Sequence, residues 1–165
     1  METRASTSQF QRRRVRLTLR HGRVVEGNIH VTEGQSLALF MATRRFFANL
    51  TEVAWAAQSE RLQHLAVRAE QVYWVASLDA ALPVSATLPP TRRERWAELI
   101  MDDGTVLHVG LYIADEQRMT DYIDAASGFL PVPAALIVSS EHNLGEVVVN
   151  TGAVLAIREI DPPRR

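Results

Sequence analysis

The sequence contains no cysteine, no lysine and no long apolar run. Without cysteine the chain cannot form a disulfide, a thiolate nucleophile or a cysteine-ligated metal site. No segment approaches the roughly 18–20 apolar residues that cross a bilayer as a helix. The polar stretch 1–8 also lacks the apolar segment of a signal peptide. We therefore expect a cytoplasmic protein that has no membrane partner.

Charge is divided unevenly along the chain. All 18 basic residues are arginine, and the formal net charge is −1. Residues 1–82 hold 11 arginines against 7 acidic residues, whereas residues 83–165 hold 7 arginines against 12 acidic residues. A net charge near zero argues against a general nucleic-acid binder, but the two halves are electrostatically complementary.

An internal repeat is the strongest pattern in the sequence. Residues 15–78 align without a gap on residues 97–160 when they are shifted by 82 positions. The apolar positions repeat while the polar positions do not, which is typical of a duplicated scaffold with diverged chemistry. The matched pairs include Leu17/Leu99, Gly22/Gly104, Val24/Val106, Phe47/Phe129, Leu62/Leu144 and Val72/Val154.

Each copy predicts five strands and one short helix. Residues 14–20 alternate with period two, and His21-Gly22 predicts a tight hairpin turn, as does Asp103-Gly104 in the second copy. Apolar residues at helical spacing in 35–41 and 117–123 predict a short helix after the second strand. We therefore predict a mainly β protein made of two tandem five-stranded small β-barrels, each with a short helix after strand 2.

The predicted organisation has five segments. They are a disordered N-terminal arm (1–11), a first β-barrel repeat (12–79), a proline-rich linker (80–95), a second β-barrel repeat (96–161) and a short tail (162–165). A single unit of this size buries too little surface to be more than marginally stable. The two units are therefore expected to pack together or against other copies.

Two segments carry a resemblance to known families. The glycine-flanked hairpin 15–27 and the closing strand–turn–strand 144–154 resemble those of Sm-like and SH3-like small β-barrels. This resemblance implies the barrel fold and, for Sm-like proteins, RNA binding. The hairpin, short helix and Phe-led strand also resemble a broad bacterial family with no assigned activity. The arginine-rich start resembles the Arg motif of PilZ proteins, which would imply a cyclic dinucleotide ligand.

An arginine cluster in the first repeat is the main candidate for binding phosphate. Guanidinium groups suit bidentate phosphate contacts and stacking on bases. The alternatives are a solvated basic surface or one that docks on acidic protein. The candidate residues are Arg12, Arg13, Arg14, Arg16, Arg23, Arg44 and Arg45.

The second repeat offers an acidic complement, and Trp74 in the first repeat is a candidate protein-binding aromatic residue. If the acidic residues of one copy meet the arginines of another, association is head-to-tail. A metal site is the weaker interpretation, because no third ligand has a suitable spacing. The acidic candidates are Asp115, Glu116, Asp121 and Asp124.

The five histidines are scattered singly, and no nucleophile–base–acid set is recognisable. We therefore expect no enzymatic activity, no cofactor and no resident metal. The sequence predicts a non-catalytic interaction or assembly module that self-associates or bridges partners through barrel edges and charged faces. The alternative is an Sm-like nucleic-acid or nucleotide binder that uses the arginine-rich face of the first repeat.

Overall fold

The computed structural model describes residues 9–55, 58–86, 92–126 and 128–164. The elements of the first repeat are β1 (Gln11–Leu19), β2 (Val24–Val31), α1 (Leu37–Ala42), β3 (Phe47–Trp55), β4 (Arg61–Arg68) and β5 (Val72–Ser77). Those of the second are β6 (Arg93–Met101), β7 (Val106–Ile113), α2 (Met119–Asp124), β8 (Phe129–Ile137), β9 (His142–Asn150) and β10 (Val154–Ile160). The prediction of a mainly β protein with a short helix after the second strand of each copy is confirmed.

The 82-residue shift also relates the two repeats in structure. Shifting β1, β2, α1 and β3 by that amount gives the first and last residues of β6, β7, α2 and β8. A 3-10 turn at Ala69–Gln71 separates β4 from β5, and its counterpart at Thr151–Ala153 separates β9 from β10. The repeated apolar pattern therefore corresponds to a repeated backbone.

Local sequence explains the first hairpin. Val15, Leu17 and Leu19 of β1 are buried and alternate with more exposed neighbours, as the period-two pattern predicts. His21 and Gly22 both have positive φ, at 65° and 73°, which is the backbone that a tight hairpin turn requires. The turn therefore pairs β1 with β2 from Val15↔Gly27 to Thr18↔Val24.

All described strands lie in one open antiparallel sheet. Its order is β10-β6-β7-β8-β9-β5-β1-β2-β3-β4. Each repeat therefore contributes its strands in the order fifth, first, second, third, fourth, and the repeats meet where β9 pairs with β5. The outermost strands of the described sheet are β10 at one end and β4 at the other.

Two hydrophobic clusters form the cores of the repeats. One surrounds Leu17, Ile29 and Leu50 of the first repeat, and the other surrounds Leu99, Leu111 and Met101 of the second. The connecting segment also belongs to the first cluster through Leu82 and Val84. Backbone amides of Leu37 and Ala38, at the start of α1, donate to the carbonyls of Pro83 and Val84 at 2.9 and 3.0 Å.

The boundaries differ in detail from the sequence-based division. β1 begins at Gln11, within the predicted arm 1–11, and β6 begins at Arg93, within the predicted linker 80–95. Residues 1–8, 87–91 and 165 lie outside the described residues, so most of the predicted arm and the middle of the predicted linker fall there. No helix in the described part of the chain is long and apolar enough to cross a membrane.

Candidate functional site: the repeat junction and the sheet edges

The two repeats are joined by a strand pairing. β5 of the first repeat pairs antiparallel with β9 of the second, with Trp74 opposite Val149 and Val75 opposite Val148. The same β5 also pairs with β1 of its own repeat, from Leu17↔Val75 to Val15↔Ser77. One strand therefore belongs to its own repeat on one side and to the neighbouring repeat on the other.

Side chains are exchanged across this junction. Phe129 and Val148 of the second repeat pack into the hydrophobic cluster of the first repeat. Tyr73 and Trp74 of the first repeat pack into the cluster of the second. Each core is therefore completed by the other repeat, and neither is closed by its own residues alone.

This exchange also locates one of the predicted binding residues. Trp74 is only 6% exposed because it lies within the junction. Its aromatic ring contacts the other repeat of the same chain and is not available on the surface for an external partner. Tyr73, its neighbour on β5, is buried too. Both side chains are buried because they pack into the hydrophobic cluster of the second repeat.

Asn150 makes the main polar contact of the junction. It is the one buried polar residue identified among the described residues. Its amide Nδ2 donates to the carbonyl of Val72 at 2.9 Å, and its Oδ1 accepts from the amide of Gly152 at 3.0 Å. The side chain thereby ties the end of β9 to the start of β5, and both of its functional groups are satisfied.

A cluster of charged and phenolic groups lies beside the same junction. Arg20 Nη1 contacts Asp102 Oδ2 at 2.5 Å, and the Tyr73 hydroxyl donates to Asp102 Oδ1. The hydrogen bond from Tyr73 and then that from Arg20 lower the pKa of Asp102. Burial, reinforced by the hydrogen bond to Asp102, raises the pKa of Tyr73 to about 12. At neutral pH the cluster therefore holds an ionised carboxylate between a guanidinium and a neutral phenol.

The outer strands of the described sheet carry the same repeat positions as the strands of the junction, but no further strand pairs with their outer edges. Leu155 on β10 is the counterpart of Tyr73 on β5 and is 73% exposed, whereas Tyr73 is 1% exposed. Phe47 on β3 is the counterpart of Phe129 and is 44% exposed, whereas Phe129 is 9% exposed. The same apolar positions are thus buried at the junction and exposed at the two ends of the sheet.

Ion pairs hold the edge strand β10 against β6. Arg95 Nε lies 2.9 Å from Glu159 Oε1, and Arg158 Nη2 lies 2.9 Å from Glu98 Oε1. The hydrogen bond from Arg95 lowers the pKa of Glu159, and a hydrogen bond with His108 is the main cause of the lowered pKa of Glu98. The outer strand β10 is therefore joined to β6 by two ion pairs in addition to its backbone pairing.

The arginines at the start of β1 are mostly paired within their own repeat. Arg12 and Arg16 form ion pairs with Glu52 and Glu26 at 3.3 and 2.8 Å. On the opposite side of β1, Arg13 lies 3.7 Å from an oxygen of Asp79. Arg14 donates to the carbonyl oxygen of Glu52 at 3.1 Å. Arg12, Arg14 and Arg16 therefore share one face of β1, where Glu52 and Glu26 contact them, and Arg13 lies on the other face.

Arg44 and Arg45 lie apart from that group, beside a cavity of about 670 Å³ at the junction. Arg20 and the turns around Glu70 and Thr151 complete its wall. The guanidinium of Arg44 stacks 4.5 Å above the ring of Phe40. The Nε atoms of Arg20 and Arg44 are buried and have no hydrogen-bond partner among the described residues. The structure thus brings two of the seven predicted arginines together with a third that the sequence analysis did not select.

The remaining candidates are dispersed. Arg23 is exposed beside the β1–β2 turn and lines a different pocket, next to β4. Asp115 pairs with Arg93 at 3.1 Å, within its own repeat. Glu116, Asp121 and Asp124 are exposed near or on α2. Within the described residues, no group of three or more carboxylates and imidazoles is arranged to hold a metal ion.

Sequence reasoning did not predict the contact between Arg20, Asp102 and Tyr73, nor the role of Asn150. A signal for the first two was present, because Arg20 shifted by 82 positions falls on Asp102. Opposite charges at one position of a repeat indicate an electrostatic contact if equivalent positions of the two units meet. Asn150 carries no comparable signal.

Similarity to known proteins adds nothing to this geometry. The chain matches no protein-family model, and no curated protein or solved structure is significantly similar to it.

Proposed function

We propose that this protein is a non-catalytic assembly module, built from two Sm-like small β-barrel units, that joins protein chains through the ends of its sheet. The observation that carries the proposal is the β5–β9 junction, where two units of one design are already joined strand to strand. Edge strands present unpaired N–H and C=O groups, which pair readily with another strand.

The exposed apolar residues support the same function. Leu155, Phe46 and Phe47 are exposed on or next to the outer strands of the described sheet. Large apolar side chains at a sheet edge favour a protein contact, because association removes both apolar surface and free backbone groups from water. Charged faces then contribute to orientation and to the rate of encounter more than to affinity.

Size-exclusion chromatography with light scattering tests the proposal, over a wide concentration range and at low and high salt. We expect an oligomer that persists at high salt, because apolar and backbone contacts are little screened. Leu155→Glu should reduce the mass to that of one chain while the variant still unfolds cooperatively. Leu39→Glu is the matched control, since Leu39 is 54% exposed but lies on α1, away from the outer strands. A single-chain mass at every concentration would contradict the proposal.

A second candidate function is binding of a phosphate-bearing ligand, specifically nucleic acid, at the junction cavity. The observation that favours it is the wall of this cavity, where Arg20, Arg44 and the exposed Arg45 lie together. Arginine side chains grouped at a cavity wall suit a phosphate or a stacked base. In this second candidate function the proposed contact is made by Arg44 and Arg45 and not by the arginines of β1.

Fluorescence anisotropy with mixed-sequence single-stranded RNA and DNA tests this second candidate. Binding through phosphates gives an affinity that falls log-linearly with salt. Arg44→Glu with Arg45→Glu should abolish such binding, whereas Arg61→Glu with Arg164→Glu, which changes the net charge equally at two exposed arginines outside the cavity wall, should leave it nearly unchanged. Equal loss in both variants, or no binding at low salt, would exclude the junction cavity as the site.

A further inference from the structure

The two ends of the sheet are counterparts of the two strands that meet at the junction. A shift of 82 positions converts β5 into β10 and relates β9 to β4. The junction joins a fifth strand to a fourth strand, and these same two kinds of strand form the ends of the described sheet. The two end strands of the sheet, β10 and β4, are therefore complementary to each other in the same way as β5 and β9 are at the junction.

A pocket beside β4 supports this complementarity. Its volume is about 360 Å³, and its wall includes Arg20, Ala66, Val67 and Arg68. Their counterparts in the second repeat are Asp102, Val148, Val149 and Asn150, which contact Tyr73 or pair with β5 at the junction. The pocket beside β4 therefore corresponds to the surface beside β9 that β5 covers.

From this correspondence we infer that the partner of β4 is β10 of a second copy of this chain, paired antiparallel in the register of the junction. This inference rests on the proposed assembly function and specifies its partner. Shifting Trp74↔Val149 and Val75↔Val148 by the repeat length gives Ala156 opposite Val67 and Ile157 opposite Ala66. Leu155 then enters the pocket beside β4, and Phe47 becomes covered as Phe129 is.

The contact is heterologous, because it joins two different surfaces. Each copy contributes one β4 and one β10, so every copy that is added leaves one free edge of each kind. Such an assembly either closes into a ring or continues as a filament. Since each chain contributes two repeats, a closed ring contains an even number of repeats.

Introduced cysteines test the register, and the natural chain has none that could interfere. Two full-length single variants are prepared, Ala66→Cys and Ile157→Cys, with one carrying a tag that changes its size. Directly opposed residues of antiparallel strands have Cα atoms about 4.5–5.5 Å apart, which is within the range that a disulfide bridges. We expect the mixture to form a disulfide-linked heterodimer on mild oxidation, and neither variant alone to crosslink efficiently.

Two further mixtures define the register. Val67→Cys with Ala156→Cys should crosslink, whereas Ala66→Cys with Leu155→Cys, which is offset by two residues, should crosslink at least several-fold less. Crosslinking of Ala66→Cys with itself would overturn the inference, because it would place β4 against β4. Equal yields from matched and offset pairs would overturn it as well.

Light scattering on the untreated protein separates this inference from the function on which it rests. An oligomer that fails to crosslink at the matched pairs leaves the assembly function standing and rejects β4–β10 pairing. A single-chain mass together with absent crosslinks rejects both. Thermal unfolding of each cysteine variant in reductant confirms that the comparison is made between folded proteins. The variants at the exposed sites Ala66, Leu155 and Ala156 should stay within about 0.5 kcal/mol of the parent, whereas Val67→Cys, at a buried site, should be less stable but still unfold cooperatively.

Discussion

Arg20 and Asp102 occupy the same position in the two repeats, and their side chains form an ion pair with each other at 2.5 Å. A duplicated position has thus acquired opposite charges, and the resulting pair spans the junction. The contact can therefore be inverted. Arg20→Asp alone sets two carboxylates together and Asp102→Arg alone sets two guanidinium groups together, so each should lower the thermal midpoint. The double variant should recover most of the loss.

The same swap at Arg16 and Glu26 is the comparison for this prediction. That pair is separated by 2.8 Å but lies on one hairpin and is more exposed. Exposed pairs contribute little to stability, so its single reversals should have the smaller effect. If the Arg20 and Asp102 variants add independently, with no recovery in the double variant, the two side chains do not interact in solution.

The pH dependence of stability should report on Tyr73. Because the folded pKa is raised to about 12 from an ordinary value near 10, the neutral phenol contributes stability that is fully present below about pH 10. That contribution is lost as the pH rises through about 12. Chemical unfolding between pH 9 and pH 12 should therefore show a steeper loss for the natural chain than for Tyr73→Phe. Parallel curves would show that the Tyr73 phenol is not perturbed.

The loss of stability at acidic pH should depend on Asp102, the carboxylate of the same cluster. The pKa of Asp102 is lowered in the folded protein, first by the hydrogen bond from Tyr73 and then by that from Arg20. Stability from this carboxylate is present above the ordinary pKa near 4 and is lost as the pH falls through the lower folded value. Asp102→Asn should flatten the acid limb of a plot of stability against pH. An unchanged acid limb would assign acid sensitivity to other carboxylates.

Asn150→Ala should destabilise the fold by about 1–3 kcal/mol, because it leaves the buried carbonyl of Val72 without its side-chain donor and also removes the acceptor of the Gly152 amide. The measurement is urea denaturation. Asn49→Ala is the control, since Asn49 is exposed on β3 and should change stability by less than about 0.5 kcal/mol. Equal effects of the two substitutions would show that the junction contact of Asn150 contributes nothing.

Gly27→Ala should cost about 1–3 kcal/mol through overpacking. A Cβ atom on Gly27 would lie 3.1 Å from the Cβ of Leu50 and 3.3 Å from the carbonyl oxygen of Thr51. Both neighbours belong to β3, next to the irregular pairing between β2 and β3. The backbone there cannot move without altering the sheet, so differential scanning calorimetry should show a lower midpoint. A neutral result would mean that β3 shifts freely.

The sequence predicts the elements well because local patterns determine them. Alternation identifies β1, glycine identifies the turn at Gly104, and helical spacing identifies α1 and α2. Pro131 and Pro133 illustrate a partial success, since they predict an edge or a bulge. β8 is an inner strand, and its register shifts between Val132 and Ala135, so the bulge accommodates Pro133.

The pairing of β5 with β9 was beyond sequence reasoning. Every non-proline residue has the same backbone donor and acceptor, so no side-chain pattern specifies which distant edge a strand joins. The division of the arginines, in contrast, was accessible. Period two along β1 sets Arg13 opposite to Arg12, Arg14 and Arg16, so three of the four arginines share one face and the fourth lies on the other.

Covalent continuity gives the β5–β9 junction a property that no contact between separate molecules has. Its two halves meet at an effective concentration fixed by the chain that connects them and not by the amount of protein present. Dilution that would separate a pair of independent repeats leaves this junction formed. Large side chains such as Tyr73 and Trp74 can therefore pack against a neighbouring surface that is always present.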